Sequence, residues 1–160
     1  MIFATVGTQL AFDRMISALD DWAGRNQDVV VYAQTGPAAY MPQHMGFADF
    51  LAPGKVTDYM REAELIVSHA GMGSIITAMY LRKPVIIMPR KASLGEHRNE
   101  HQMATAKWLA NRKGIIVAWE ASDLPRLLDR RAQLESGPAI SEVADGALVK
   151  KLSRYIQSLQ

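Results

Sequence analysis

Short apolar runs alternate with amphipathic stretches along most of this chain. Residues 2–6, Ile-Phe-Ala-Thr-Val, read as a buried strand that stops at Gly7-Thr8. Phe12, Met15, Ile16, Leu19 and Trp22 then recur at helical spacing, which predicts a helix over residues 12–24. Asp20 and Asp21 fall on that helix and are expected to face solvent. Residues 29–34 read as a second strand, stopped by Gly36-Pro37. The Gly-, Pro- and Met-rich stretch from 36 to 54 has no clear period, apart from a short strand expected around 47–51.

A short helix is expected over 57–62, and residues 65–68 form another apolar strand. The glycine-bearing turn after it opens a helix over about 74–81, followed by a strand at 85–88 that ends at Pro89. A polar loop from 90 to 96 leads into a helix expected over 96–111, and residues 114–117 are the last clear strand. Ser122-Asp123 can cap a helix reaching about residue 131. Ile140, Val143, Ala144, Ala147, Leu148, Leu152 and Ile156 trace a stripe on a long terminal helix, about 139–159. Strands alternating with helices predict an α/β fold, a parallel sheet flanked by helices, in a single domain spanning 1–160.

At 160 residues the chain is long enough for one real core. It has no cysteine, which excludes disulfides and cysteine metal sites and fits a reducing, cytoplasmic setting. The amino-terminal apolar run lacks a basic flank, so no signal peptide is expected. No uncharged run reaches the roughly 20 residues a spanning helix needs. The net charge of +2 is too small to suggest nucleic acid as a partner. Basic clusters at Arg82-Lys83 with Arg90-Lys91, at Arg126 with Arg130-Arg131, and at Lys150-Lys151 with Arg154 read first as solvated faces, and second as a weak attraction to anionic lipid or a phosphorylated substrate.

Three stretches carry candidate chemistry. The first is Ser68-His69-Ala70-Gly71-Met72-Gly73-Ser74, at the carboxyl end of a strand, where open α/β sheets bind ligands. Gly71 and Gly73 let a ligand approach the backbone, and the helix start offers free N–H donors suited to a diphosphate. Ser68, Ser74 and His69 add side-chain donors, His69 beside a departing phosphate. A tight turn with glycines present only for packing fits the same residues. The second is Gly7-Thr8, the equivalent turn after the first strand, which either lines the same crevice or simply ends the strand.

The third stretch runs from Pro89-Arg90-Lys91 to Gly95-Glu96-His97-Arg98-Asn99-Glu100-His101-Gln102. On a helix, His97 and His101 would share a face, with Gln102 beside them, a set suited to sugar hydroxyls. A capped helix start with solvated polar residues is the plainer reading. His97 to His101 also matches the H-x-x-E-H zinc pattern, a five-residue match that arises by chance. No D-x-D pair follows a strand, so no metal or other cofactor is expected. No G-x-G-x-x-G follows the first strand, which argues against a dinucleotide enzyme.

Val6-Gly7-Thr8, the Ser68–Ser74 turn, Lys83-Pro84, Met88-Pro89-Arg90 and the Gly95–Gln102 stretch occur in an order that resembles one family. They look like the carboxyl-terminal, donor-binding domain of family 28 glycosyltransferases, over residues 1 to about 120. Within that family the chain is similar to PssE-like subunits of two-component bacterial exopolysaccharide transferases. The resemblance implies a Rossmann-like domain, the C-terminal half of a GT-B enzyme, with the other half absent because Met1 opens the first strand. It implies a UDP-sugar donor, a lipid-linked sugar acceptor and a PssD-like membrane-anchored partner that binds the acceptor. The protein would then sit peripherally at the cytoplasmic face of the inner membrane, through that partner.

By the same resemblance His69 and Arg90 would stabilise the leaving group in an inverting, metal-independent transfer. Gly71, Gly73, Ser74 and His69 would contact the diphosphate, and His101 and Gln102 the sugar. Gly7, Thr8, Ser68, Glu96 and His97 would complete the donor site. Many relatives carry a glutamate on the helix after the glycine turn, accepting from the ribose hydroxyls. Thr77 stands there in this chain, so ribose recognition is expected to be weaker or differently arranged. The terminal helix would dock the partner or pack on its own sheet. A UDP-sugar-binding subunit without catalysis is the competing expectation.

Overall fold

In the computed structural model, residues 1–138 and 140 are described; the terminal helix expected over 139–159 lies outside them. Six strands form one sheet: β1 Ile2–Thr5, β2 Val31–Gln34, β3 Gly46–Ala48, β4 Leu65–His69, β5 Val85–Met88 and β6 Ile115–Val117. They are ordered β3-β2-β1-β4-β5-β6, and every neighbouring pair is parallel. A parallel sheet is covered on both faces, so its strands need no polar side, and β1 and β5 are buried throughout. Alternate residues point to opposite layers: Ile2 and Ala4 pack into one core and Phe3 into the other.

The helices are α1 Asp13–Arg25, α2 Pro53–Glu62, α3 Met72–Tyr80, α4 His101–Leu109 and α5 Asp123–Asp129. Helices α1 and α5 cover one face, through Ile16, Leu19, Trp22, Leu124 and Leu128. Helices α2, α3 and α4 cover the other, through Met60, Ile75, Ala78, Ala106 and Leu109. No helix among the described residues is long and apolar enough to cross a membrane. The chain steps outward from β1 to β3, returns, and then steps the other way from β4 to β6. That reversal places β1 beside β4, with Thr5 opposite Ser68 at their carboxyl ends. Loops leaving these two strands diverge, and a crevice opens between them. The topology is the Rossmann-like arrangement.

Several elements depart from the sequence reading. Helix α2 starts at Pro53, four residues early, because proline fits the first helical turn where its missing N–H is not needed. Helix α3 starts at Met72, so Gly71 caps it and Gly73 lies in its first turn. Helix α4 starts only at His101; residues 96–100 are a run of bends. Asp20 does not face solvent. Its exposure is 0%, and its carboxylate accepts from the backbone N–H groups of Gln43 and His44, both at 2.8 Å, and from the Tyr40 hydroxyl at 2.9 Å. Burial pushes the Asp20 carboxyl up, but these three hydrogen bonds and the nearby His44 outweigh it and hold it below the usual range. Burial and the Asp20 contact push the Tyr40 phenol up to about 12. Residues 40–44, without helix or strand, are thus tied to α1 by one carboxylate.

Candidate functional site

The crevice beyond β1 and β4 consists of two adjoining hollows that share Gly7, Thr8 and Gly73. One, about 420 Å³, is lined by His69, Gly71, Arg90, His97, His101 and Gln102 together with residues 6–10. The other, about 430 Å³, lies toward β2 and α2 and is lined by Gln34, Leu51, Val56, Thr57, Met60, Ser74 and Thr77 among others. Most of the residues expected at a donor site therefore meet around one crevice.

The two glycine turns are built around His69. Gly7 has φ +77°, a backbone region that disfavours side chains, and a Cβ there would lie 2.9 Å from the His69 ring. A Cβ at Gly71 would run into His69 Nε2. Gly7 and Gly71 are thus required by packing. Gly73 is different: among the described residues nothing lies within 4 Å of the place its Cβ would occupy. It sits in the open first turn of α3, whose start carries no side-chain cap. The free N–H groups of that turn, with the positive end of the helix dipole, have the chemistry to receive an anion.

His69 is neutral at physiological pH. Burial takes its pKa from 6.5 down to about 4, and the charges of Arg90 and His97 push the same way against a backbone hydrogen bond with Thr5. In the free protein the imidazole offers a hydrogen bond and no positive charge. Ser68 is fully buried and donates to the His69 carbonyl at 2.9 Å, which places its hydroxyl under the turn.

Arg90 is 3% exposed and donates to the carbonyls of Val6 at 2.9 Å and Leu10 at 2.5 Å. Its guanidinium lies 5.0 Å from the centre of the Phe12 ring, and burial lowers its pKa to about 10 against the pull of Glu96. The Arg90 Nε has no hydrogen-bond partner among the described residues. Arg90 therefore ties the loop after β1 to the end of β5, and its charge reaches the hollow from behind that loop. Gln102, also buried, accepts the Arg90 backbone N–H at 3.1 Å.

Glu96 is turned away from the crevice. It takes a two-pronged ion pair from Arg14 at 2.6 and 2.8 Å and accepts the Lys91 N–H at 2.9 Å. The clamp holds residues 91–96 against the start of α1, and Lys91 and Arg14 both pair with Glu120 as well. His97 and His101 do not share a helix face, because His97 precedes α4. The bend between them still brings the rings edge-to-face, 4.5 Å between centres. Glu100 accepts the Ala92 N–H, and no group of three or more His, Asp or Glu among the described residues is placed to hold a metal ion. Thr77 donates to the Gly73 carbonyl at 2.9 Å.

Sequence reasoning missed Arg14, Asp20 and Gln34. The Gln34 side chain donates to Thr5 Oγ1 and the Gly7 carbonyl and accepts the Leu51 N–H at 3.0 Å, joining the ends of β1 and β2 to the loop before α2 beneath the crevice. A polar residue closing the otherwise apolar second strand was the available signal.

Residues 1–135 match the glycosyltransferase family 28 C-terminal domain. The chain is 27% identical over 84% of its length to a UDP-N-acetylglucosamine–N-acetylmuramyl-(pentapeptide) pyrophosphoryl-undecaprenol N-acetylglucosamine transferase of Bacteroides thetaiotaomicron, covering 35% of that protein. It is 29% identical over 60% of its length to the UDP-N-acetylglucosamine transferase subunit ALG13 of Debaryomyces hansenii, covering 45% of it. The chain thus spans between a third and a half of these relatives. Its fold is shared with the solution structure of an ALG13 protein, at a TM-score of 0.61 and 18% identity, covering 94% of this chain and 93% of that one. It is shared also with the calicheamicin glycosyltransferase CalG4, at a TM-score of 0.58 and 11% identity, covering 96% of this chain and 36% of that one. With the family match spanning nearly the whole described structure, the chain belongs to glycosyltransferase family 28, as a C-terminal domain of that family.

Proposed function

We propose that this chain is the donor-binding part of an inverting glycosyltransferase that moves a sugar from a UDP-sugar to a lipid-linked acceptor. The observation that carries this reading is the open first turn of α3 at Gly73, at the join of the two hollows. A diphosphate seated there places the sugar toward His97, His101 and Gln102, and the nucleoside toward Thr77, Thr57 and Met60. Both similar proteins named above as curated relatives are UDP-N-acetylglucosamine transferases by name, one of them a transferase subunit, which supports the donor class.

In the proposed reaction an acceptor hydroxyl attacks the anomeric carbon as the bond to the diphosphate oxygen breaks. The sugar inverts and UDP departs with the electron pair. The α3 amino terminus and the His69 N–H stabilise the departing charge, and Arg90 adds a longer-range field. Among the described residues no Asp or Glu lines either hollow, and the base that takes the acceptor proton is assigned mainly to a partner. A PssD-like, membrane-anchored subunit acting in exopolysaccharide assembly would supply that base and the acceptor site. This chain would then work peripherally at the cytoplasmic face of the inner membrane, with no metal between protein and diphosphate.

Calorimetric titration with UDP tests the reading, with Gly73→Asp as control, since a carboxylate there would repel the diphosphate. Binding by the wild type and its loss in the variant is the expected result. Absence of UDP binding, or equal binding by the variant, would sink it.

A further inference from the structure

The hollow toward α2 has a chemical character of its own. Among the described residues its lining contains no charged side chain, and Leu51, Val56 and Met60 give it apolar walls. Its neutral polar side chains are largely committed within the protein. Thr57 donates to the Pro53 carbonyl at 3.2 Å and Thr77 to the Gly73 carbonyl at 2.9 Å, each within its own helix. The Gln34 amide is used at both ends, and Thr5 Oγ1 accepts from the Gly7 N–H and from Gln34. Thr8 and Ser74 flank the glycines, where the diphosphate is placed.

A ribose in this hollow meets, among the described residues, no carboxylate that could receive its two hydroxyl protons. Selection for a hydroxyl needs a buried partner that is left unsatisfied when the hydroxyl is missing. Thr57 and Thr77 have already spent their protons on backbone carbonyls, so neither is left wanting. We infer that this donor site does not select for the ribose 2′-hydroxyl and takes 2′-deoxyribonucleoside diphosphate sugars as readily as ribonucleoside ones. The inference rests on a nucleoside diphosphate occupying the crevice, and it makes Thr77 the position that sets sugar-ring selectivity in the nucleotide.

Titration of the full chain with UDP and with dUDP separates the two claims. UDP binding by itself judges the occupancy of the crevice; the ratio of the two dissociation constants judges selectivity. Constants within about threefold of each other are expected, and a preference for UDP above about tenfold overturns the inference. Failure of both ligands to bind overturns it together with the reading beneath it. The second arm is Thr77→Glu, which introduces a carboxylate acceptor at a half-buried site on α3. Its charge weakens binding of both ligands, so only the ratio is read. A shift of at least about fivefold toward UDP is expected. An unchanged ratio shows that the ribose does not lie beside residue 77 and overturns the assignment.

Discussion

The His69 imidazole fills the space that a side chain at Gly71 would need, so the glycine turn after β4 is shaped by the residue that precedes it. Gly73, two residues on, meets nothing among the described residues. The two glycines of one motif therefore fail differently when replaced. Gly71→Ala is expected to lower the melting temperature by displacing His69 or the α3 start. Gly73→Ala is expected to hold or raise it, since alanine in a helix is favoured by up to about 1 kcal/mol over glycine. UDP affinity should nonetheless fall in the Gly73 variant, because a methyl group then stands in the anion seat. Thermal melts beside UDP titrations read both effects.

His69 gives the fold a dependence on acid. Above about pH 6.5 the residue is neutral both folded and unfolded, and contributes no slope. Between 6.5 and about 4 the unfolded chain takes up a proton that the folded one refuses, so stability falls as the pH falls. The loss reaches about 3 kcal/mol if the whole shift is expressed. His69→Gln should remove this part of the slope in urea melts taken across that range. A bound diphosphate should draw the His69 pKa back up, which an NMR titration of the imidazole would show directly.

Asp20→Asn tests the tie between α1 and residues 40–44. An amide has one acceptor oxygen where the carboxylate has two, and its NH2 would face backbone donors. A loss of about 2–3 kcal/mol is expected in urea melts, the cost of leaving buried donors unmet. Because the folded Asp20 pKa is depressed, its contribution is present above pH 3.8 and fades as the pH drops below it. A variant as stable as the wild type at pH 7 would refute the tie.

The Arg14–Glu96 clamp holds the loop that carries His97 without lining the crevice. Glu96→Gln breaks a two-pronged pair of low exposure, and a stability loss of about 1–2 kcal/mol is expected. Affinity for UDP should be nearly unchanged, while the extra affinity contributed by the sugar of a UDP-sugar should drop. Competition titration with the two ligands separates these terms. A matching loss for both would place the effect at the diphosphate instead.

Strands and their parallel pairing were legible because a sheet covered on both faces leaves unbroken apolar runs such as residues 2–6 and 85–88. The meeting of the glycine turns followed, since carboxyl ends of parallel strands share one edge. Helix boundaries were less legible. Pro53-Gly54 reads as a break although proline suits a first turn, and residues 96–100 carry no apolar period to mark where α4 truly begins. Asp20 was misread because a charged residue on a helix is ordinarily wetted. Its partners are backbone N–H groups about two dozen residues away, which no side-chain pattern announces. Arg90 and Gln102 were legible as polar residues near the crevice, but their burial depends on carbonyls of residues 6 and 10 that sequence cannot place.

The pairing of β1 with β4 joins residues about sixty positions apart, and the crevice is made from the two loops that leave that pair. A chain still emerging from the ribosome, with β1 to β3 complete and β4 not yet made, would own half a binding site and no anion seat. Nucleotide would therefore discriminate finished molecules from partial ones, and would rescue only those whose central register has already locked. On the proposed reading, donor supply would then act on the abundance of this protein, through the lifetime of chains that have just closed their sheet.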